Sequence, residues 1–134
     1  MNEKVRQYSM IKLTGAPIAV TCPSWCTTPH GDGEIAENTW HEGPSILFVG
    51  PGDFYEYFDG GEPYEVMWAA ISAEPNDADG SHGQPYIYFD TQGQATGARL
   101  DVAQADAVLR DLRQYVDRLQ QMRDRLAQIN EGER

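Results

Sequence analysis

The segment Thr21-Cys22-Pro23-Ser24-Trp25-Cys26-Thr27-Thr28-Pro29-His30, resumed at Trp40-His41-Glu42-Gly43, decides how this chain is read. It carries prolines, glycines and acids but no apolar period, so it cannot order itself by burying one face of a helix or strand. What it offers instead is metal donors. Cys22, Cys26, His30 and His41 follow the spacing Cys-x3-Cys-x3-His-x10-His and include both cysteines and two of the three histidines of the chain. Two thiolates and two imidazoles form a standard tetrahedral set for zinc, and the thiolates balance the charge of the divalent ion. The spacing is not that of the common fingers or ribbons. Two reduced cysteines, or a Cys22–Cys26 disulfide, beside loop histidines are the alternative. Nickel, cobalt and iron also accept such donors, but a closed set of two sulfurs and two nitrogens suits zinc best. The expectation is one structural zinc site with Cys22, Cys26, His30 and His41 as its ligands. Were His41 not a ligand, a water could take the fourth position, with Glu42 or Asp32 as its base, and the site would be catalytic.

Outward from this loop the chain reads as short strands and one helix. Residues 8–13 and 18–21 read as strands around the turn residues Gly15, Ala16 and Pro17. Residues 45–50 and 53–58 read as two more, separated by Pro51-Gly52. The longest apolar segment, Tyr64 to Ala73, alternates Val66, Trp68 and Ala70 on one face with Met67, Ala69 and Ile71 on the other. Both faces suit burial, which places this strand centrally in its sheet. Residues 74–85 read as an acidic, mobile loop, residues 86–90 as a strand, and residues 94–100 as a last strand. Asp101 is a good helix N-cap, and Gln104 three residues on completes a capping box. Ala105, Leu109, Leu112, Val116 and Leu119 then form a heptad-like stripe, which Met122, Leu126 and Ile129 extend after a one-residue slip. A helix to residue 129 would be roughly 40 Å long. Its first half is expected to pack on the sheet and the rest to protrude and pair with another chain; a single long core helix with a frayed end is the equal alternative.

Charge narrows the functional classes. The net charge is -11, yet residues 101–134 hold seven acids and six arginines and are nearly balanced. Between Lys12 and Arg99 there are thirteen Asp and Glu and no Lys or Arg. Such a body has no cations to replace the counterions of a phosphate backbone, so direct nucleic-acid binding through it is not expected. Solubility accounts for most of this acidity, and a basic partner is the alternative. No apolar run is long enough to span a bilayer, and the first residues lack a signal-peptide stretch, so a cytoplasmic protein is expected. Catalytic signatures are poor: no phosphate loop with a lysine, no Gly-x-Ser-x-Gly elbow, and no Cys-x2-Cys redox pair.

The remaining chemistry-bearing residues are read conservatively. Trp25 and Trp40 are expected to shield the metal from two sides. His82 is expected to be a solvated loop residue, with a weaker second site near Asp77 or Asp79 as the alternative. Phe54, Tyr55, Tyr57, Phe58, Tyr86, Tyr88 and Phe89 are expected to be core or cross-strand residues. Tyr55, Tyr57, Tyr86 and Tyr88 would otherwise form an exposed patch for a protein partner.

The Cys-Pro-x-Trp-Cys-x3-His segment ending at His30, the His-x-Gly of His41 to Gly43, and the helix start at Leu100-Asp101 resemble an uncharacterised family of small proteins from actinobacteria and their mobile elements. The resemblance runs over about residues 10–119, with 120–134 as a variable tail. It implies a metal-binding module, brings no known enzyme activity or substrate with it, and leaves the function open.

Together these readings predict an α+β fold. A mostly antiparallel sheet of five or six strands, a metal-organised Cys/His loop and one long C-terminal helix would form a single domain over 1–119. Residues 120–134 would be helix extension and tail. The expected function is that of a non-enzymatic zinc-binding adaptor or regulator. Its partner would be a protein, and it would form a homodimer through the Leu112 to Ile129 stripe, with no nucleic-acid or membrane contact. No catalytic and no organic-cofactor residues are expected. The alternatives are a small metal-dependent hydrolase and an acidic DNA mimic that inhibits a DNA-binding protein.

Overall fold

The structure, a computed structural model, describes residues 6–50, 64–91 and 97–132. The chain divides into two compact units, Met1–Leu100 and Asp101–Arg134. The first contains seven described strands: β1 (Arg6–Ile11), β2 (Pro17–Cys22), β3 (His41–Glu42), β4 (Ile46–Gly50), β5 (Tyr64–Ala73), β6 (Tyr86–Thr91) and β7 (Ala98–Leu100). The second contains the helix α1 (Val102–Gly132). Mixed α+β content, a five-stranded antiparallel sheet and one long C-terminal helix are as expected; the strand expected over 53–58 lies outside the described residues.

β1 and β2 form an antiparallel hairpin with Arg6 opposite Cys22 and Met10 opposite Ile18. Lys12 N–H bonds the Ala16 carbonyl at 2.8 Å across the turn, and Gly15 takes the left-handed φ of 88° that this tight connection requires. β1 therefore starts and ends two residues earlier than its alternation suggests, and Pro17 opens β2 where its missing N–H costs little. Residues 31–37 run along the free edge of β1. Ile11 N–H bonds the Glu34 carbonyl at 2.9 Å and Gly33 N–H bonds the Ser9 carbonyl at 2.8 Å. This folds Ala36 onto Met10 and Val20, the buried apolar cluster of the described residues, flanked by Tyr8 and Ile18. Among the described residues this is a small core, to which apolar burial contributes modestly.

The five-stranded sheet has the order β3-β5-β6-β7, with β4 also pairing β5. All pairs are antiparallel, and β5 is central, as its apolar length predicts. Register sets the faces, because directly paired residues point the same way. Glu42 opposite Ser72, Ala70 and Arg99 each opposite Tyr88, and Ser72 opposite Tyr86 share one face with Trp68. His41 opposite Ala73 and Ile71 opposite Ile87 lie on the other.

The β5–β6 connection, residues 74–85, differs from the mobile loop expected of it. Asn76 is buried at 2 % exposure. Asp77 and Ser81 close a turn through a 2.6 Å backbone bond, and Gly80 lies so near β2 that an added Cβ would sit 3.0 Å from the Ala19 carbonyl. Its acidity suggested solvent, but the contacts that hold it come from residues far away in sequence.

In the second unit, the Asp101 carboxylate accepts the Gln104 N–H at 2.8 Å, and Gln104 Oε1 accepts the Asp101 N–H at 2.9 Å. This is the reciprocal capping box read from sequence. α1 has no buried residue, and Leu109, Val116, Leu119, Met122, Leu126 and Ile129 are all exposed.

Candidate metal centre

Three segments deliver the four donors. β2 ends on Cys22, the following turn brings Cys26 round through a 3.0 Å bond from its N–H to the Pro23 carbonyl, and His30 follows four residues later. β3 supplies His41 from the five-stranded sheet. Thr27 N–H and Thr28 Oγ1 both bond the Glu42 carbonyl, at 2.9 and 3.0 Å, pinning the cysteine loop to β3. Gly43 is required here, because a Cβ would sit 2.9 Å from the Trp25 carbonyl.

One ligand atom from each of Cys22, Cys26, His30 and His41 lies within 4.8 Å of all the others, close enough to hold a metal ion. Both cysteines are free, so the disulfide reading does not hold. Cys22 Sγ is 3.6 Å from His41 Nδ1, and Cys26 Sγ is 3.5 Å from His30 Nε2. A tetrahedral zinc with the usual sulfur and nitrogen bond lengths has a sulfur–nitrogen edge of about 3.6 Å. The separations therefore fit two donors that share an ion. Cys22, Cys26 and His41 are 1 %, 3 % and 0 % exposed. The His30 side chain is equally enclosed, so bulk water does not compete for these atoms.

A second layer sets the donors' orientation. Asn76 Nδ2 donates to the Ala36 carbonyl at 3.1 Å, which leaves Asn76 Oδ1 to accept from His41 Nε2 at 2.8 Å. The proton of His41 is thereby placed on Nε2, and the Nδ1 lone pair faces Cys22. Arg6, held opposite Cys22 by the hairpin register, donates from Nη2 to Cys22 Sγ at 3.4 Å and to the Cys26 carbonyl. Its positive charge stabilises the thiolate form. His30 Nδ1 faces Glu34 at 3.8 Å.

Burial dominates the titration of Cys22, His30 and His41. It pushes the Cys22 thiol up to about 11, and the neighbouring Cys26 adds to this while Arg6 opposes it. It also lowers both imidazoles, aided at His30 by His41 and resisted at His41 by the Asn76 bond. Neutral imidazoles are the metal-binding form, and the buried thiol gives up its proton readily only to a cation.

The four residues singled out from spacing are thus brought together. The surroundings were read less well. His82 is not solvated but half-buried, its ring edge-on to His41 at 5.7 Å and to Trp25 at 6.1 Å between centroids. Trp25 does stand beside the cluster. Trp40 is 47 % exposed and turns outward, with the Arg99 guanidinium 5.9 Å above its ring. Tyr86 and Tyr88 are half-buried cross-strand residues, opposite Ser72 and Ala70, as expected, and Tyr55 and Tyr57 lie outside the described residues. Asn76 and Arg6 were missed. Asn76 is an amide in an acidic loop with no local signal, whereas Arg6 could have been found by counting back along the hairpin from Cys22.

Fold and cluster define a small α+β protein with a buried Cys2His2 set able to hold a metal ion. The model of a family described as a domain of unknown function, DUF6907, matches residues 9–128, and the chain belongs to that family. The match takes in all four donors and reaches past Leu119 to Gln128 in α1. No curated protein and no solved structure matches the chain. No described helix is long and apolar enough to cross a membrane.

Proposed function

We propose that this protein is a non-enzymatic zinc-binding adaptor or regulator, in which the ion joins the β1–β2 hairpin to the five-stranded sheet and the surfaces so fixed bind another protein. The observation that carries this reading is the donor geometry. All four donor atoms lie within 4.8 Å of one another, two sulfur–nitrogen pairs match a zinc tetrahedron's edge, and a tetrahedron completed by all four would have no position for a reacting water. The donor set favours zinc over harder ions. The small apolar cluster among the described residues beside the donors supports a structural role, since an ion there would add stability to that of burial. Self-association through the exposed stripe of α1 is part of the proposal. It is supported by apolar residues at helical spacing on a helix with no buried residue.

Elemental analysis of the purified protein tests the reading, together with melting curves with and without a strong chelator. One zinc per chain and a large fall in melting temperature on chelation are expected, and Cys22→Ser should reproduce the fall without chelator. Full stability of a metal-free protein would overturn it.

A further inference from the structure

Trp68, Tyr86 and Tyr88 stand beside Glu42, Ser72 and Arg99 on one face of the sheet, around a cavity of about 290 Å³ that Trp40 and His41 also border. The cavity is at the small end for a ligand site and suits one side chain better than an extended molecule. Trp68 and Tyr88 are 5.2 Å apart between centroids and tilted by 37°, and both rings border the cavity. A cation already uses this surface. The Arg99 guanidinium lies 4.9 Å from the Tyr86 centroid and 5.9 Å from that of Trp40, and an ion pair with Glu74 cancels its charge. The charges left over are negative. Glu42 lies on the cavity wall, and Asp90, opposite Trp68 on the same face, has a buried Oδ1 with no hydrogen-bond partner among the described residues. The Tyr86 phenol is held above its ordinary range by burial and by the negative charge that Tyr88 and Glu42 would place beside it.

We infer that this aromatic cavity receives the guanidinium of an arginine on a partner protein, with Trp68 and Tyr88 supplying ring faces and Glu42 the counter-charge. Ring faces attract cations through their quadrupole, most strongly at Trp, and an arginine plane stacks on them as Arg99 does on Tyr86. The partner chemistry complements the whole chain, whose net charge is -11. The inference rests on the adaptor reading only in taking the partner to be a protein. His41 borders the cavity, so it is the metal content of each sample that tells the failure of one reading from the failure of the other.

The test titrates the metal-loaded full chain with a blocked pentapeptide carrying a central arginine between glycines, and with the same peptide carrying citrulline. Amide and indole NMR shifts are followed throughout. Saturable shifts at Trp68, Tyr86 and Tyr88 are expected with the arginine peptide and none with citrulline. Trp68→Ala should weaken binding about 10-fold. Glu42→Gln, at an exposed position that leaves the strands intact, should weaken it about 3-fold. Metal content, measured on every sample, should remain at one ion per chain. Equal shifts with both peptides would overturn the inference. So would arginine-dependent shifts scattered over the acidic surface and unchanged in both variants. Either result, with metal content intact, would leave the metal reading standing.

Discussion

Asn76 shows how a residue with no chemistry of its own can control a site. One amide both holds the Ala36 carbonyl and receives the His41 Nε2 proton, so it selects which imidazole nitrogen faces the cysteines. Asn76→Ala removes that selection and leaves the Ala36 carbonyl unsatisfied. Metal affinity, measured by competition with a chromogenic chelator, should fall about 10- to 100-fold; an unchanged affinity would show that packing alone orients the ring. The same donors make binding pH-dependent. Cys22 keeps its proton to about 11 in the metal-free protein and must lose it to an ion, so each metal bound releases at least that proton. Apparent affinity should therefore fall by about tenfold or more per pH unit on acidification. The lowered imidazoles act in the same direction on stability. Free His30 and His41 bind protons more readily unfolded than folded, so this contribution is present above their ordinary value near 6.5 and is lost as pH falls below it. A metal-free protein whose melting temperature holds steady from neutral to mildly acidic pH would contradict this.

Among the elements, β6 and β7 depend on a close approach that only glycine allows. A Cβ on Gly97 would sit 2.6 Å from the Tyr88 ring and 2.8 Å from the Phe89 carbonyl, while the Gly97 N–H donates to Tyr88 Oη at 3.0 Å. Gly97→Ala should destabilise the protein by about 1–3 kcal/mol in chemical denaturation, since backbone and ring must both move. A change within about 0.5 kcal/mol would show that the strand end yields freely. Elements were legible in the sequence wherever their cause was local. β5 declared itself by unbroken alternation, and α1 by the Asp101–Gln104 box and its apolar stripe. β3 was not legible. Two residues, His41 and Glu42, form a strand because Ser72 and Ala73 stand opposite them. The turn at 77–81 was likewise not legible, because its neighbourhood contacts β2 and Ala36, which are distant in sequence.

At the scale of the whole molecule, the first unit holds two sheets, and few of its described side chains are both apolar and buried. Its buried residues include both cysteines, His41 and Asn76 alongside Met10, Val20 and Ala36. The donors converge from the end of β2, the loop after it and β3, so a single ion would tie hairpin to sheet where apolar packing is thin. The site itself could be read from sequence because three donors fall within nine residues and the fourth soon after. Its second layer could not, since Arg6 and Asn76 reach it only through the fold. The central claim is that Cys22, Cys26, His30 and His41 close around one ion with no position left open. The absorption spectrum of the cobalt-substituted protein tests it most directly. The account predicts intense tetrahedral ligand-field bands with sulfur-to-cobalt charge transfer, present at one equivalent and unmoved by azide. Weak six-coordinate bands, or a spectrum that shifts when azide is added, would contradict it.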